Sequence, residues 1–302
     1  MKRPLQHILE AQQFDRTLLE KLFTSADAFA KRHKEPLRGK ILASLFYEPS
    51  TRTRLSFESA MMRLGGNVIS AENANEVSSA VKGETLQDTG RIVSQYADVI
   101  VIRHFEKDAT KRLAESSSVP VINAGDGAGQ HPTQALLDVY TLSREFGKID
   151  GTTIAIVGDL KNGRAARSFV YLLGKYKPAE IIFVSPPELR MGDDLKEYLK
   201  RHKIAFRDSE SFEDAHHADV IYQTRIQKER FASMKEYQKF KGRYVLTADY
   251  AAAMREHAII MHPLPRVYEI STDVDASPHA AYFKQARNGL YIRMALLNHL
   301  LG

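Results

Sequence analysis

The sequence has 302 residues, with 43 Lys and Arg against 37 Asp and Glu, so its formal net charge is +6. This modest basic surplus is spread along the chain, without the dense basic stripe or aromatic platform of a nucleic-acid-binding surface. There is no cysteine, which excludes disulfides, thiolate metal sites and a cysteine nucleophile. An apolar leader and runs of about 18 apolar residues are also missing, so we expect a cytoplasmic protein that does not bind membranes.

Short apolar runs alternate with amphipathic helical patterns along the whole chain. The predicted strands are 40–47, 67–71, 98–103 and 119–123, then 152–158, 180–185, 219–224 and 257–261. A long helix is predicted at 133–146, and loop signals cluster at 73–83, 123–130, 224–242 and 262–278. Such alternation is typical of parallel sheets covered by helices. We therefore predict an α/β protein with two domains, each a mainly parallel sheet flanked by helices.

The segment 49–54, Pro-Ser-Thr-Arg-Thr-Arg, follows the first predicted strand. It precedes residues with the spacing of one apolar helix face, namely Phe57, Ala60, Met61 and Leu64. The segment therefore falls at a helix N-terminus, where unpaired N–H groups and the helix dipole attract a phosphate or carboxylate. Its guanidinium and hydroxyl groups strengthen that attraction. From these residues alone, a serine cap followed by solvated arginines stays an alternative.

Further basic and amide residues follow predicted strands or lie in loops. They are Arg103, His131 with Gln134, Arg164, Arg225 with Gln227, and the segment 262–266, His-Pro-Leu-Pro-Arg. Taken singly, such residues are most often solvated charges or structural loop residues. In open α/β sheets, however, ligands bind at the carboxyl ends of the strands. Because these residues share a position after strands, the sequence favours a role for them together in binding ligands.

Three of these motifs together resemble the aspartate/ornithine carbamoyltransferases: Ser50-Thr51-Arg52-Thr53-Arg54, His131-Pro132-Thr133-Gln134 and His262-Pro263-Leu264-Pro265-Arg266. The segments 82–85, 158–160 and 225–230 are similar to the aspartate-specific branch. The ornithine branch typically has cysteine in the two His-Pro segments, and this chain has none. The resemblance extends from about Phe14 to Leu297. It implies transfer of the carbamoyl group of carbamoyl phosphate to the amine of L-aspartate, an early step of de novo pyrimidine biosynthesis, without a cofactor or metal.

The resemblance also implies a division of the chain and a set of ligands. A carbamoyl-phosphate-binding domain is expected at 1–132, completed by a C-terminal helix at 285–302 that returns to it, and an aspartate-binding domain at 133–284. The expected ligands of carbamoyl phosphate are Ser50, Thr51, Arg52, Thr53, Ser78, Arg103, His131, Gln134, Pro263, Leu264 and Pro265. Those of aspartate are Lys82, Arg164, Arg225 and Gln227. The catalytic residues implied are Arg52, Thr53, Lys82, Arg103 and His131.

The residue types suit this chemistry, because both substrates are anions and bringing them together requires several fixed cations. By the resemblance, Thr53, Arg103 and His131 form the equivalent of an oxyanion hole for the carbamoyl oxygen. Gln134 and the backbone carbonyls of Pro263 and Leu264 accept hydrogen bonds from the carbamoyl NH2. The substrate amine attacks directly and the departing phosphate takes its proton, so a covalent enzyme intermediate is not expected.

The resemblance also implies a quaternary structure, namely a homotrimer in which Ser78 and Lys82 reach into the active site of a neighbouring chain. It leaves open whether regulatory chains or dihydroorotase join the trimer. The segment 224–242 is a candidate lid over aspartate.

A dinucleotide site is disfavoured, because Gly158 and Gly163 lack the G-x-G-x-x-G spacing. The remaining alternatives are a carbamoyltransferase with another amino acid acceptor and a non-enzymatic anion-binding relative.

Overall fold

The computed structural model describes residues 7–32, 34–72, 83–231 and 233–302. The chain divides into two compact units, Met1–Tyr140 with Arg287–Gly302 and Thr141–Ala286. This division falls inside the helix Pro132–Phe146. The predicted boundary, between residues 132 and 133, lies at the start of the same helix.

The first unit is a parallel sheet with helices along the chain between its strands. Its elements are α1 Arg16–Lys31, β1 Ile41–Phe46, α2 Thr51–Arg63, β2 Asn67–Glu72, α3 Leu86–Val93, β3 Val99–His104, α4 Ala109–Ala114, β4 Val121–Asp126 and α5 Pro132–Phe146. The strand order is β2-β1-β3-β4, and every pairing is parallel. The four residues of the predicted apolar face of α2 are all fully buried. The helix is thus oriented by that face, as the spacing predicts.

The second unit contains a larger parallel sheet and leads into the C-terminal helix. Its elements are β5 Thr153–Val157, α6 Arg164–Leu173, β6 Glu180–Val184, α7 Asp193–Arg201, β7 Phe206–Ser209, β8 Val220–Gln223, α8 Met234–Gln238, α9 Ala248–Ala252, β9 Ile259–Met261 and α10 Tyr282–Leu301. The strand order is β7-β6-β5-β8-β9, again with parallel pairings. The predicted fold class is confirmed, including a C-terminal helix whose residues from Arg287 onward belong to the first unit.

Two parts of the second unit differ from the sequence-based expectation. Strand β7 was not predicted, because it is an edge strand paired only with β6 and carries the charged, exposed Arg207 and Asp208. The predicted loop 224–242 contains the helix α8 and a hydrophobic cluster. Buried members of this cluster are Ile226, Tyr237 and Phe240 of this segment, together with Leu189 from outside it. The helix has only 5 residues, too few for a clear periodic signal, so the expectation of an irregular loop was wrong here.

Both sheets reverse their strand order at one point. The reversal lies between β1 and β3 in the first unit and between β5 and β8 in the second. Near the carboxyl ends of these strands, Phe46 is paired with Arg103, and Val157 is paired with Gln223. Ligands of open α/β sheets bind outside such switch points. Each unit therefore has one preferred place for a ligand. Among the described helices, none is both long and apolar enough to cross a membrane.

Candidate active site

The first candidate anion site is the N-terminus of α2. Ser50 occupies the cap position with φ −159° and ψ 96°, but its side chain makes no capping hydrogen bond. The alternative in which Ser50 acts as a hydrogen-bonding cap is therefore wrong in this structure. Thr53 is buried one turn into the helix, while Thr51 and Arg52 are exposed at its end. Hydroxyl, guanidinium and backbone N–H groups thus meet at the positive end of a helix dipole.

Arg54 has a different role from Arg52. Its Nη2 lies 2.8 Å from Glu72 Oε2, and its Nη1 lies 3.8 Å from Glu58 Oε1. Glu58 Oε1 also accepts hydrogen bonds from Ser44 Oγ at 2.9 Å and Ser70 Oγ at 2.8 Å. This network joins α2 to β1 and β2. Arg54 therefore fixes the helix on the sheet, and Arg52 is the arginine at the helix end.

Arg103 lies near the end of β3, beside the loop that carries the anion motif. Its Nε donates to Glu48 Oε2 at 2.9 Å, and the two side chains are 15% and 28% exposed. The carboxylate holds the guanidinium near the switch point of the sheet, and an anionic ligand has to compete with it. Glu48 was missed in the sequence, although its position directly before Pro49 and Ser50 placed it beside the motif.

His131 and Gln134 occupy the beginning of α5. The carbonyl of buried His131 accepts hydrogen bonds from the N–H groups of Gln134 at 3.0 Å and Ala135 at 3.2 Å. Pro132 is the first helical residue, where its missing N–H has no consequence. The Nδ1 atom of His131 lies 3.5 Å from Thr133 Oγ1. The histidine is thus held at the helix start by its backbone.

The side-chain amide of Gln134 has a defined orientation. Its Nε2 donates to Asp138 Oδ1 at 2.9 Å, and Asp138 is fully buried. Because a carboxylate only accepts hydrogen bonds, the NH2 group faces Asp138 and the amide oxygen faces the other way. That oxygen is an acceptor suited to a ligand NH2 group. Asp138 was not singled out in the sequence, although its i, i+4 spacing from Gln134 is a usable signal.

A buried arginine of the C-terminal helix supports this arrangement. Burial lowers the pKa of Arg293 to about 10, although the charge of Asp138 acts in the opposite direction. The Arg293 Cζ atom lies 5.0 Å from the ring centroid of Phe57 in α2. Helix α10 therefore places a cation near both the Gln134 partner and the core of the anion-binding helix. Its distance along the chain hid this contact from sequence analysis.

The second candidate anion site lies after β5 and β8 in the second unit. Arg164 is the first residue of α6, and Gly163 precedes it at the cap position. A guanidinium is thus combined with a helix N-terminus, which suits a carboxylate. Arg225 and Gln227 follow β8, the neighbour of β5 in the sheet, and both are partly exposed. The adjacent loops bring two cations and one amide to the same sheet edge.

Asp159 connects these two loops. It is fully buried, its Oδ1 accepts from the Asn162 N–H at 3.0 Å, and the Asn162 Nδ2 is 3.1 Å from both carboxylate oxygens. Burial raises the pKa of Asp159, and hydrogen bonds from Asn162 and from the backbone of Gln227 oppose that rise. Sequence analysis included this residue only as part of the segment 158–160 and missed its contribution to positioning.

Gly158 allows the same two loops to approach closely. Its φ is +117°, and a Cβ there would lie 2.3 Å from the backbone oxygen of Thr224. Thr224 in turn donates from its N–H and its Oγ1 to the Val157 oxygen, both at 2.8 Å. A side chain at residue 158 is therefore excluded by both conformation and space. Arg225 follows Thr224 directly, so its position depends on this contact.

The predicted site residues are brought together within each unit. In the first unit, Arg103 lies near the carboxyl end of β3, and the loops or helix starts after β1 and β4 contain Ser50, Thr51, Arg52, Thr53, His131 and Gln134. In the second unit, Arg164, Arg225, Gln227, Pro263, Leu264 and Pro265 follow β5, β8 and β9. The turn after β9 has Leu264 at φ 48° and a cis Leu264–Pro265 peptide. Ser78 and Lys82 lie outside the described residues.

Two family models match the chain. The model for the aspartate/ornithine carbamoyltransferase carbamoyl-P binding domain matches residues 6–144. The model for the Asp/Orn binding domain of the same family matches residues 150–300. Together the two matches span most of both structural units.

Individual relatives agree with these matches. Aspartate carbamoyltransferase 2, chloroplastic, of Pisum sativum is 55% identical over 99% of this chain and 80% of its own length. The aspartate carbamoyltransferase catalytic subunit of Methanocaldococcus jannaschii is 54% identical over 90% of this chain and 88% of its own length.

Solved structures extend the similarity to the fold. Aspartate transcarbamoylase of Trypanosoma cruzi in complex with carbamoyl phosphate and aspartate has a TM-score of 0.93 and 40% identity, covering 99% of this chain and 98% of that one. The complex of the same enzyme with N-(phosphonacetyl)-L-aspartic acid has a TM-score of 0.92, 40% identity and the same coverage.

Proposed function

The chain belongs to the aspartate/ornithine carbamoyltransferase family, and from this premise we propose which of its residues bind each substrate and which stabilise the developing charge in one reaction. That reaction is the transfer of the carbamoyl group of carbamoyl phosphate to the amine of L-aspartate. Its products are N-carbamoyl-L-aspartate and phosphate, and it is an early step of de novo pyrimidine biosynthesis. The observation that supports the residue assignment is that basic side chains with hydroxyl or amide neighbours lie near the switch point of each sheet.

We assign the phosphate of carbamoyl phosphate to the N-terminus of α2. Ser50, Thr51, Arg52 and Thr53 donate to its oxygens, and Arg103 bridges phosphate and carbamoyl oxygen. As the amine attacks, negative charge develops on that oxygen, and Thr53, Arg103 and His131 stabilise it. One such preorganised donor contributes about 3–4 kcal/mol in comparable acyl-transfer sites. The orientation of Arg103 by Glu48 supports this role, because the guanidinium is already fixed before substrate binds.

The carbamoyl NH2 needs acceptors, and the aspartate carboxylates need cations. We assign the NH2 group to Gln134 and to the backbone carbonyls of Pro263 and Leu264, with Pro265 shaping the turn. The amide orientation imposed by Asp138 supports the role of Gln134. Arg164 binds the α-carboxylate of aspartate, whereas Arg225 with Gln227 binds the β-carboxylate. The aspartate amine attacks in its neutral form and the departing phosphate accepts its proton, so His131 serves as a donor to the carbamoyl oxygen.

A two-acceptor assay tests the reaction. Purified protein is incubated with carbamoyl phosphate and either L-aspartate or L-ornithine, and the ureido product is measured. We expect product with aspartate only. Product with ornithine only would transfer the chain to the sister branch, and no product with either would support a non-enzymatic anion-binding role.

We propose that the chain forms a homotrimer in which Ser78 and Lys82 act in a neighbour's site, with Lys82 also binding aspartate. Large apolar side chains exposed on α2, β2 and around α3 support an interface: Leu55, Met62, Ile69, Ile92 and Tyr96. Mixing inactive Arg52→Ala and Lys82→Ala chains should restore part of the activity in hybrid trimers. No restoration under conditions that exchange wild-type chains would contradict shared sites.

Further assembly and cellular location also remain proposals. The relative in Methanocaldococcus jannaschii is named a catalytic subunit, which supports a search for a regulatory partner of this chain. Co-purification of the tagged chain from its own cells would identify such a partner or a dihydroorotase. Fractionation of the same cells would test the proposed cytoplasmic location.

A further inference from the structure

The turn after β9 contains a buried histidine that the proposed reaction does not use. His262 is 2% exposed, and its backbone N–H donates to Gln285 Oε1 at 2.8 Å. Its Nδ1 accepts from the Leu264 N–H at 2.7 Å, and its Nε2 lies 2.8 Å from Glu269 Oε1. Because the Leu264 N–H can only donate, Nδ1 is the acceptor and the ring proton lies on Nε2. Both ring nitrogens are therefore fully engaged.

The charge state of this histidine follows from its surroundings. Burial lowers the pKa of His262, and the adjacent Glu269 carboxylate opposes this only in part. The ring is therefore neutral, and with both nitrogens in hydrogen bonds it has no free position for proton transfer to a substrate. His262 therefore acts only by holding the neighbouring groups in position through its hydrogen bonds.

Glu269 closes the other end of the same turn. It is 1% exposed, and its carboxylate accepts from the N–H groups of Val267, at 3.2 Å, and Tyr268, at 3.1 Å. Burial raises the pKa of Glu269, but hydrogen bonds from His262 and the backbone leave it lowered, so the group is ionised. The His262 ring thus has one fixed anchor on Glu269 and one contact to Leu264.

The pair of His262 and Glu269 holds the Leu264 N–H, and the direction of this N–H sets the orientation of its peptide plane. Leu264 is a non-glycine residue at φ 48°, a conformation that carries strain and persists only where surrounding contacts impose it. The hydrogen bond to Nδ1 fixes the Leu264 N–H, and with it the peptide plane that contains the Pro263 carbonyl. Pro263 and Leu264 are partly exposed, whereas the His262 and Glu269 side chains beneath them are not.

We propose that His262 is a positioning residue for carbamoyl phosphate: by accepting from the Leu264 N–H, its Nδ1 directs the Pro263 carbonyl, one of the two backbone carbonyls assigned to the carbamoyl NH2, and Glu269 holds the imidazole in place. This inference rests on the proposed function, in which those carbonyls accept hydrogen bonds from the substrate. A misplacement of about 1 Å in a substrate-positioning group lowers rates by about 100-fold. The effect should concern the carbamoyl group and leave the phosphate group unaffected.

Two substitutions separate the two hydrogen bonds of the ring. In His262→Asn, the amide oxygen takes the place of Nδ1 and keeps the contact to the Leu264 N–H. In His262→Gln, the amide NH2 takes the place of Nε2 and keeps the contact to Glu269. Each variant loses one ring hydrogen bond, so the pair is matched in hydrogen-bond number, and thermal unfolding of both measures the structural effect.

We expect His262→Asn to keep kcat/KM for carbamoyl phosphate within about threefold of wild type, and His262→Gln to lower it by about 10- to 100-fold. The inhibition constant of inorganic phosphate, which has no NH2 group, should be the same in both variants and wild type. Equal losses in the two variants, or losses that follow their unfolding temperatures, would contradict the positioning role. A parallel weakening of phosphate binding would contradict it too. If wild type itself made no ureido product, the proposed function would fail instead.

Discussion

The two candidate anion sites are built on the same topological feature but are supported in different ways. In the first unit, carboxylate side chains hold the cations: Glu48 binds Arg103, and Glu72 binds Arg54. In the second unit, Asp159 binds backbone and side-chain N–H groups of Asn162 and the backbone of Gln227, and Gly158 lets the loops touch. The first support is electrostatic and can be displaced by an anionic ligand. The second is a backbone framework that a ligand leaves in place.

The largest expected effect concerns the electrostatic support. Arg103→Ala removes a donor to the developing negative charge, so kcat should fall by about 100- to 1,000-fold. Steady-state kinetics with both substrates measures this loss. The control is Arg91→Ala, whose side chain is 69% exposed on α3 and which should leave kcat unchanged. A loss of less than tenfold in Arg103→Ala would remove Arg103 from the catalytic set.

The backbone framework is tested by Gly158→Ala. The new Cβ meets the Thr224 oxygen, so the Arg225 loop has to move, and KM for aspartate should rise by about 10- to 100-fold. Binding of inorganic phosphate should change little. Gly151→Ala is the matched control, because Gly151 also has a positive φ, +84°, but nothing lies within 4 Å of a Cβ there. Equal effects of the two substitutions would show that conformational strain alone explains the result.

The buried His262 of the second unit, which is paired with Glu269, should make the stability of the protein depend on pH. Burial lowers the pKa of His262 below its ordinary value of about 6.5, so the unfolded chain binds more protons as the solution becomes acidic. The contribution of a neutral His262 to stability is therefore complete above that value and is lost as pH falls below it. Unfolding by denaturant at about pH 7.5 and 5.5 should show a steeper loss in wild type than in His262→Gln. Equal losses would contradict this assignment.

The smallest expected effect is a gain of affinity. Glu48→Gln removes the charge with which an anion competes for Arg103, so inorganic phosphate should bind about two- to tenfold more tightly. Isothermal titration calorimetry measures this change. Glu72→Gln is the control, since Glu72 pairs with Arg54 and should not alter phosphate binding. Unchanged affinity in Glu48→Gln would mean that the Glu48 contact does not oppose the ligand.

Sequence and structure agree best where a motif is contiguous. The helix start at Ser50 to Arg54, its apolar face and the strands on either side of it could be predicted, because each depends on neighbouring residues. The supporting residues Glu48, Asp138 and Asp159 were missed, because their burial and hydrogen-bond partners are not visible in sequence, and only Asp138 has a spacing, four residues from Gln134, that points to its partner. Strand β7 and helix α8 were missed because their pairing and packing depend on distant residues. The roles of Ser78 and Lys82 stay predictions.

The contact of Arg293 with the interior of the first unit has a consequence for biosynthesis. A nascent chain that ends at Ala286 already contains Ser50 to Thr53, Arg103, His131 and Gln134, which are the proposed phosphate and carbamoyl ligands of that unit. It lacks the buried cation near Asp138 and Phe57, which arrives only with the last helix. Nascent chains that have not yet emerged beyond Ala286 should therefore bind carbamoyl phosphate poorly, and the site should be completed only once α10 has emerged from the exit tunnel and packed onto the first unit.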